Sequence, residues 1–250
     1  MSRNRFTAVA SLIFALIFAF AAPRQMQGQH HQDNKDNKDP YPTMSPLDQY
    51  LMPDRNAEIA LARTAAPSSI SQDATVMVLT SHGFETGAEG KNGFVCIVER
   101  AWTSPRKSVE FWNPKNRSPI CYNPQAARTV LPYTYMRTKL ALAGKSKDEI
   151  LDGIKAAVEN KELPALEPGA MCYMISKQAY LSDTGVTQDG AHTGAHMMFY
   201  TPRINPADWG ANMDNSPIHI DPRAKSDPEP FNIFVVFTGS WSNGSPAPLS

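Results

Sequence analysis

The residues best suited to chemistry stand in "DGAHTGAHMMFYTP", Asp189 to Pro202, where Gly-Ala-His occurs twice and sets His192 and His196 four apart. At that spacing two imidazoles share one face of a helix, which is how a helical zinc motif presents its ligands. The surrounding residues argue for another conformation. Gly185, Gly190 and Gly194 break a helix, and Met197 to Tyr200 is an apolar run of strand character. In a strand, residues four apart lie about 13 Å apart on one face, too far to share an ion. Thr193 also stands where the protease motif needs a glutamate. The helical zinc-protease reading fails on both counts.

A looser metal centre stays open. His219 and Asp221 in "SPIHIDPR" point the same way if that stretch is extended. With His192 and His196 they would supply the imidazole and carboxylate ligands that suit zinc or a similar divalent ion. An acid–base group is the other use of these histidines, with His82 and Glu85 joining His192 and His196 as candidate catalytic residues. His82 and Glu85 belong to "SHGFETGAEGKNG", Ser81 to Gly93, a long glycine-rich loop between two strands that is no phosphate loop. It lacks a glycine five before Gly90, has Asn92 where magnesium would need Ser or Thr, and carries Glu85 and Glu89 to repel phosphate.

A third stretch, Asn205 to Asp221, sets Trp209 near Asn212, and Tyr200 precedes it. These three are candidate ligand-binding residues of an aromatic groove for a sugar or other small molecule, with Trp112 a further wall. Turn chemistry explains the same Asn and Asp residues without a ligand, and their order does not match a calcium loop. Nucleophile motifs are near misses: "SPRK" has no companion motif in order, and "GSWSNG" lacks the glycines that flank a nucleophilic serine.

Elements that must position these residues follow from period and punctuation. "TVMVLT" (75–80), "FVCIVERAW" (94–102), "AMCYMIS" (170–176), "HMMFYT" (196–201) and "FNIFVVFTGSW" (231–241) read as strands. Ile233 to Phe237, apolar on both faces, suggests a central strand. Asp54 opens a helix that stops before Pro67, and Asn123-Pro124 opens another that Pro132 should kink or split and Gly144 should end. Ser146 and Glu149 form a capping box ahead of Ile150, Leu151, Ile154, Ala157 and Val158 at helical spacing. Strands, then helices, then strands predict an α+β fold: a mainly antiparallel sheet with a helical hairpin inserted between its N-terminal and C-terminal strands.

The address comes from the first residues. Arg3 and Arg5 precede the uncharged run Ala8 to Phe20, and Ala19-Phe20-Ala21 is a small-x-small site. Residues 1–21 therefore read as a signal peptide, which predicts an exported protein, periplasmic or secreted. Residues 22–44 read as a disordered polar tether, since "HHQDNKDNKD" holds no large apolar residue. Residues 45–250 remain as a single domain with no further segment able to span a membrane. Without Arg3 and Arg5, 22 basic side chains face 24 acidic ones, a near-neutral balance that offers nucleic acid no electrostatic footprint. Three cysteines allow one disulfide and one spare thiol. Sequence does not fix the pairing, but Cys96–Cys121 is favoured because it ties the loop "SPICYNP" back to a strand.

Two functional classes follow. One is an exported domain that binds a small molecule, glycan or envelope partner through loops at one end of the sheet. The other is a hydrolase-like enzyme, metal-dependent or not, with a histidine-lined site.

Overall fold

The computed structural model describes residues 39–248; the expected leader and most of the tether lie outside the described residues. Eight strands form one sheet: β1 (Thr75–Thr80), β2 (Gly83–Ala88), β3 (Val95–Glu99), β4 (Ser118–Tyr122), β5 (Met171–Met174), β6 (His196–Pro202), β7 (Ile218–Ile220) and β8 (Phe231–Phe237). Their order is β2-β1-β3-β4-β5-β6-β8-β7. Neighbours run antiparallel except β1 and β3, which are parallel. The fold is α+β with a mostly antiparallel sheet, as composition and order predict.

Helices α1 (Arg55–Arg63) and α2 (Ser68–Ser71) precede β1. Helices α3 (Pro124–Thr129), α4 (Leu131–Leu142) and α5 (Lys147–Glu159) lie between β4 and β5, and α6 (Arg223–Ser226) lies between β7 and β8. Local chemistry sets their ends. Asp54 accepts from the Asn56 N–H at 2.8 Å, and Asn123 accepts from the Ala126 N–H at 2.9 Å. The split before Pro132 falls at Val130, because proline removes a helical donor and crowds the preceding turn. Gly144, at φ 73°, takes the left-handed position that ends α4. The Ser146–Glu149 capping box forms in full. The Ser146 N–H, with help from Lys145, holds the Glu149 carboxyl down at about 2.

The two-residue period of the strands builds two cores. On one face Ala62 and Ala65 pack on Val76, Val78, Cys96, Val98 and Cys121. On the other, Ile97, Ile120, Tyr122, Cys172, Met198 and Ile233 pack beneath Val130, Leu131, Tyr133 and Ile154. Cys96 and Cys121 stand directly opposite in the β3–β4 register and are disulfide-bonded, while Cys172 is a buried free thiol. The bridge closes a separation of 25 residues, for which chain entropy gives about 3 kcal/mol. A Cys96→Ala/Cys121→Ala variant should lose about that much in urea unfolding; a loss under 1 kcal/mol would show that β3–β4 pairing needs no tie.

Four local expectations change. The stretch 81–93 is not a long open loop: Gly83–Ala88 folds back on β1 as an edge strand, and Gly90 passes so close to Ala74 and Thr75 that no Cβ would fit. "SPICY" is a strand, which its two flanking turns and Pro119 disguise; Pro119 lies beyond the last β4–β5 pair, where β4 has one hydrogen-bonded neighbour. β8 is next to the edge, not central, and its last three residues are half-buried. Tyr41 and Met44, read as tether, pack against the cluster around Tyr50, Trp102 and Trp112.

Candidate functional site

Glu99 ends β3 and Arg100 follows it in extended conformation, which sends consecutive side chains to opposite faces. Arg100 goes beneath α1, where it pairs with Glu58 at 2.9 Å. Glu99 goes to the face that α4 covers. It is 7% exposed, and its oxygens accept from hydroxyls of three elements: Tyr122 at 2.6 Å, Thr134 at 3.0 Å and Thr103 at 3.1 Å. Among the described residues no cationic side chain pairs with it.

Two cavities adjoin there. The inner one, about 40 Å³, lies between α4 and strands β4, β6 and β8 and is walled by Tyr122, Tyr133, Tyr200 and Phe231. It has room for roughly three waters or the head of a small molecule. The outer one, about 230 Å³, lies beneath the connections 100–117 and 175–195, with Ser104, Ser108, Asn116, Ser118, His196 and Asp221 in its wall. Glu99, Thr103, Met198 and Arg223 line both. Larger hollows along α1 and before α5 are open grooves whose walls carry no buried carboxylate or imidazole.

The loop from β7 to β8 brings the remaining charges. Arg223 clasps Asp221 with two parallel bonds, Nε to Oδ1 at 3.0 Å and Nη2 to Oδ2 at 2.9 Å. Burial alone would raise the Asp221 carboxyl, but Arg223 outweighs it and holds the group below its usual range. Arg137, projecting from α4, donates to Glu229 at 2.7 Å and to Asp227 at 3.0 Å. Glu229 Oε1 is thereby satisfied, whereas Oε2 is buried with no partner. Burial pushes the Tyr122 and Tyr200 phenols up, Tyr122 with help from Glu99, so both remain protonated donors.

His196 is 7% exposed. Its Nδ1 lies 2.7 Å from the Gly194 carbonyl, which can only accept, so Nδ1 carries the proton and Nε2 keeps a free lone pair. Burial lowers its pKa from the ordinary 6.5. The unfolded chain then binds a proton that the folded one refuses, so stability is lost as pH falls below about 6.5. Melting temperature should decline between pH 6.5 and 5 more steeply in the parent than in a His196→Gln variant; equal slopes would contradict a neutral buried imidazole.

The other sequence candidates scatter. His82 and Glu85 sit exposed on the β1–β2 hairpin at one edge of the sheet. Five strand spacings separate β2 from β6, roughly 24 Å, so they do not join His196. His192 stacks on Tyr180 at 4.0 Å and bonds to the Ser182 carbonyl, away from His196. His219 and His196 stand on one face of the sheet, and each packs edge-on against Phe237. Asp221 is taken by Arg223. Among the described residues no three His, Cys, Asp or Glu side chains converge as metal ligands would.

Nor is the aromatic groove assembled. Trp209, 41% exposed, stacks on Phe234, which faces away from Ile233 and the cavities. Asn212 bonds to the backbone of Ile218 and Ile220, and Trp112 is buried. Tyr200 alone of that set lines the inner cavity. Burial pushes the Cys172 thiol up to about 12, which removes it as a nucleophile.

Asp183 fastens the roof of the outer cavity. Tyr41, Tyr180, Asn113 and Lys115 all donate to its carboxylate, tying 175–195 to 100–117. Sequence reasoning passed over Glu99, Thr103, Tyr122, Arg137, Arg223 and Glu229. For Glu99, Arg137 and Glu229 the signal was a charge beside apolar residues: "IVER" at a strand end, Arg137 amid "YTYMRTKL", Glu229 in "DPEPF". No family model matches the chain, and no curated protein or solved structure is similar to it, so the chemistry of these cavities carries the functional reading.

Proposed function

We propose that this chain is an exported domain that binds a small polar molecule in the paired cavities beneath α4 and the two long connections. One observation carries the reading: Glu99, Glu229 and His196 are nearly out of water and line the two cavities, and Glu229 Oε2 has no partner among the described residues. Burying such groups is unfavourable unless something satisfies them, and a concave apolar chamber with a few convergent polar groups is the usual form of a small-molecule site. In this reading the helical hairpin of α4 and α5 is a fixed cover and 175–195 a pinned roof. Volumes of about 40 and 230 Å³ favour a small molecule over a long glycan or a protein partner. Export rests on the basic start and apolar run of the leader.

Melting curves test it, because a ligand that binds only the native state raises the melting temperature by mass action. Ethanolamine, ethylene glycol, glucosamine, glucose and lactate serve as probes, with the parent and a Met198→Trp variant that fills both cavities. Stabilisation by at least one probe, lost in the variant, is the expected result. Identical shifts in both proteins, or none with any probe, contradict the reading.

His196 supports a second reading, a hydrolase-like enzyme. Its free Nε2 and the Glu99 carboxylate line one cavity, which suits acid–base chemistry without a metal. Hydrolysis of p-nitrophenyl esters or glycosides that disappears in His196→Gln would favour it.

A further inference from the structure

We infer that the inner cavity receives a protonated amine, with Glu229 Oε2 and Glu99 as its recognition groups. This rests on the proposed small-molecule site and names the ligand class that fits it.

The argument is a balance of unmet bonds. Every guanidinium near the cavity is already spent. Arg223 is clasped by Asp221 and also donates to the Thr103 carbonyl. Arg137 is shared between two carboxylates, Asp227 and Glu229. Arg203, largely exposed, donates to the backbone carbonyls of Ala224, Asp227 and Glu229. The lining sets Arg137, Arg203 and Arg223 against Glu99, Asp221 and Glu229, but Arg137 is shared with Asp227 behind the wall and Arg203 pairs with no carboxylate, so among the described residues Glu99 is left without a cationic partner.

What remains to be satisfied is an acceptor. Glu229 is 9% exposed, and its Oε2 is one of the few buried side-chain atoms without a partner. Glu99 has hydroxyl donors but no cation. An anion would meet these carboxylates, and a neutral polyol would leave Glu99 without a cation. An ammonium supplies three donors and a positive charge together. Four aromatic rings wall the same space, with Tyr133 and Tyr200 both edge-on to Phe231 at 5.2 and 5.6 Å. Such rings attract a desolvated cation. A volume of about 40 Å³ holds the ammonium head only, so the polar remainder of the molecule extends past Glu99 towards Ser104, Asn116 and Ser118.

Calorimetric titration of the mature chain with matched pairs tests this: ethanolamine against ethylene glycol, and glucosamine against glucose. At pH 7 each amine should bind at least tenfold more tightly than its alcohol. In Glu229→Gln, shown to be folded by circular dichroism, the ratio of amine to alcohol affinity should collapse to less than about threefold; Glu99→Gln should lower it likewise. Equal binding of amine and alcohol, or tighter binding of lactate, would overturn the amine assignment and leave the site itself standing. No binding of any probe would overturn both.

Discussion

Replacing Arg137 by alanine should destabilise the domain by about 3–5 kcal/mol, since it strands two buried carboxylates without their cation. Arg137 is 3% exposed and bonds to both Asp227 and Glu229. Together these three side chains fasten the β7–β8 connection to α4, so the loss would also open the inner cavity. For a domain of this size the melting temperature should fall by roughly 10 °C. The cause can be isolated. Arg137→Met/Asp227→Asn/Glu229→Gln removes the charges together and should recover much of the stability, because the penalty lies in the unpaired charge and not in the missing pair. Urea unfolding of both variants checks this; a single variant within 1 kcal/mol of the parent would show that the carboxylates find water or each other.

An effect of similar size is expected on the opposite face. Arg100 is wholly buried, donates to the Tyr50 carbonyl at 2.6 Å and pairs with Glu58 at 2.9 Å. Burial works against its charge, and Glu58 offsets this. Glu58 also accepts from the Leu79 N–H, so the pair joins α1, β1 and the end of β3. Arg100→Met should cost about 3–5 kcal/mol at pH 7. Urea unfolding of Arg100→Met beside Glu58→Gln/Arg100→Met separates the causes. Recovery of much of the stability in the double variant is expected; no recovery would mean that lost packing, not stranded charge, is responsible.

Much of the scaffold was legible because its rules are local. Asn123-Pro124, Pro132, Gly144 and the Ser146–Glu149 box each act within a turn of helix, and each behaves as expected. The Cys96–Cys121 bridge was legible as a preference and became a directly opposed pair once "SPICY" proved to be a strand. The stretch 81–93 misled because its glycines and charges suit both a loop and an exposed edge strand, and only pairing with β1 decides.

The candidate site was legible only in part, since it depends on sheet order. His196, Tyr200 and Asp221 were singled out for their types, and they do line the cavities. Their partners were not foreseen. Glu99, Thr134, Arg223 and Glu229 come from three separate segments that meet only when β6 and β8 lie two and three places from β4. Twin "GAH" motifs drew attention by repetition, yet the chain bends at Thr193, His192 stacks on Tyr180 and His196 is left alone beneath the roof.

The most direct measurement is a titration of methionine methyl signals by NMR, using the probes named for the melting curves. Met198 lines both cavities and Met174 lines the outer one, whereas Met213 is 53% exposed and lines neither. A site beneath α4 predicts that at least one probe moves Met198 saturably, Met174 to a lesser degree, and Met213 not at all. If Met198 and Met174 stay fixed with every probe while Met213 shifts, binding belongs to the outer surface near Trp209, and the cavities are not the site.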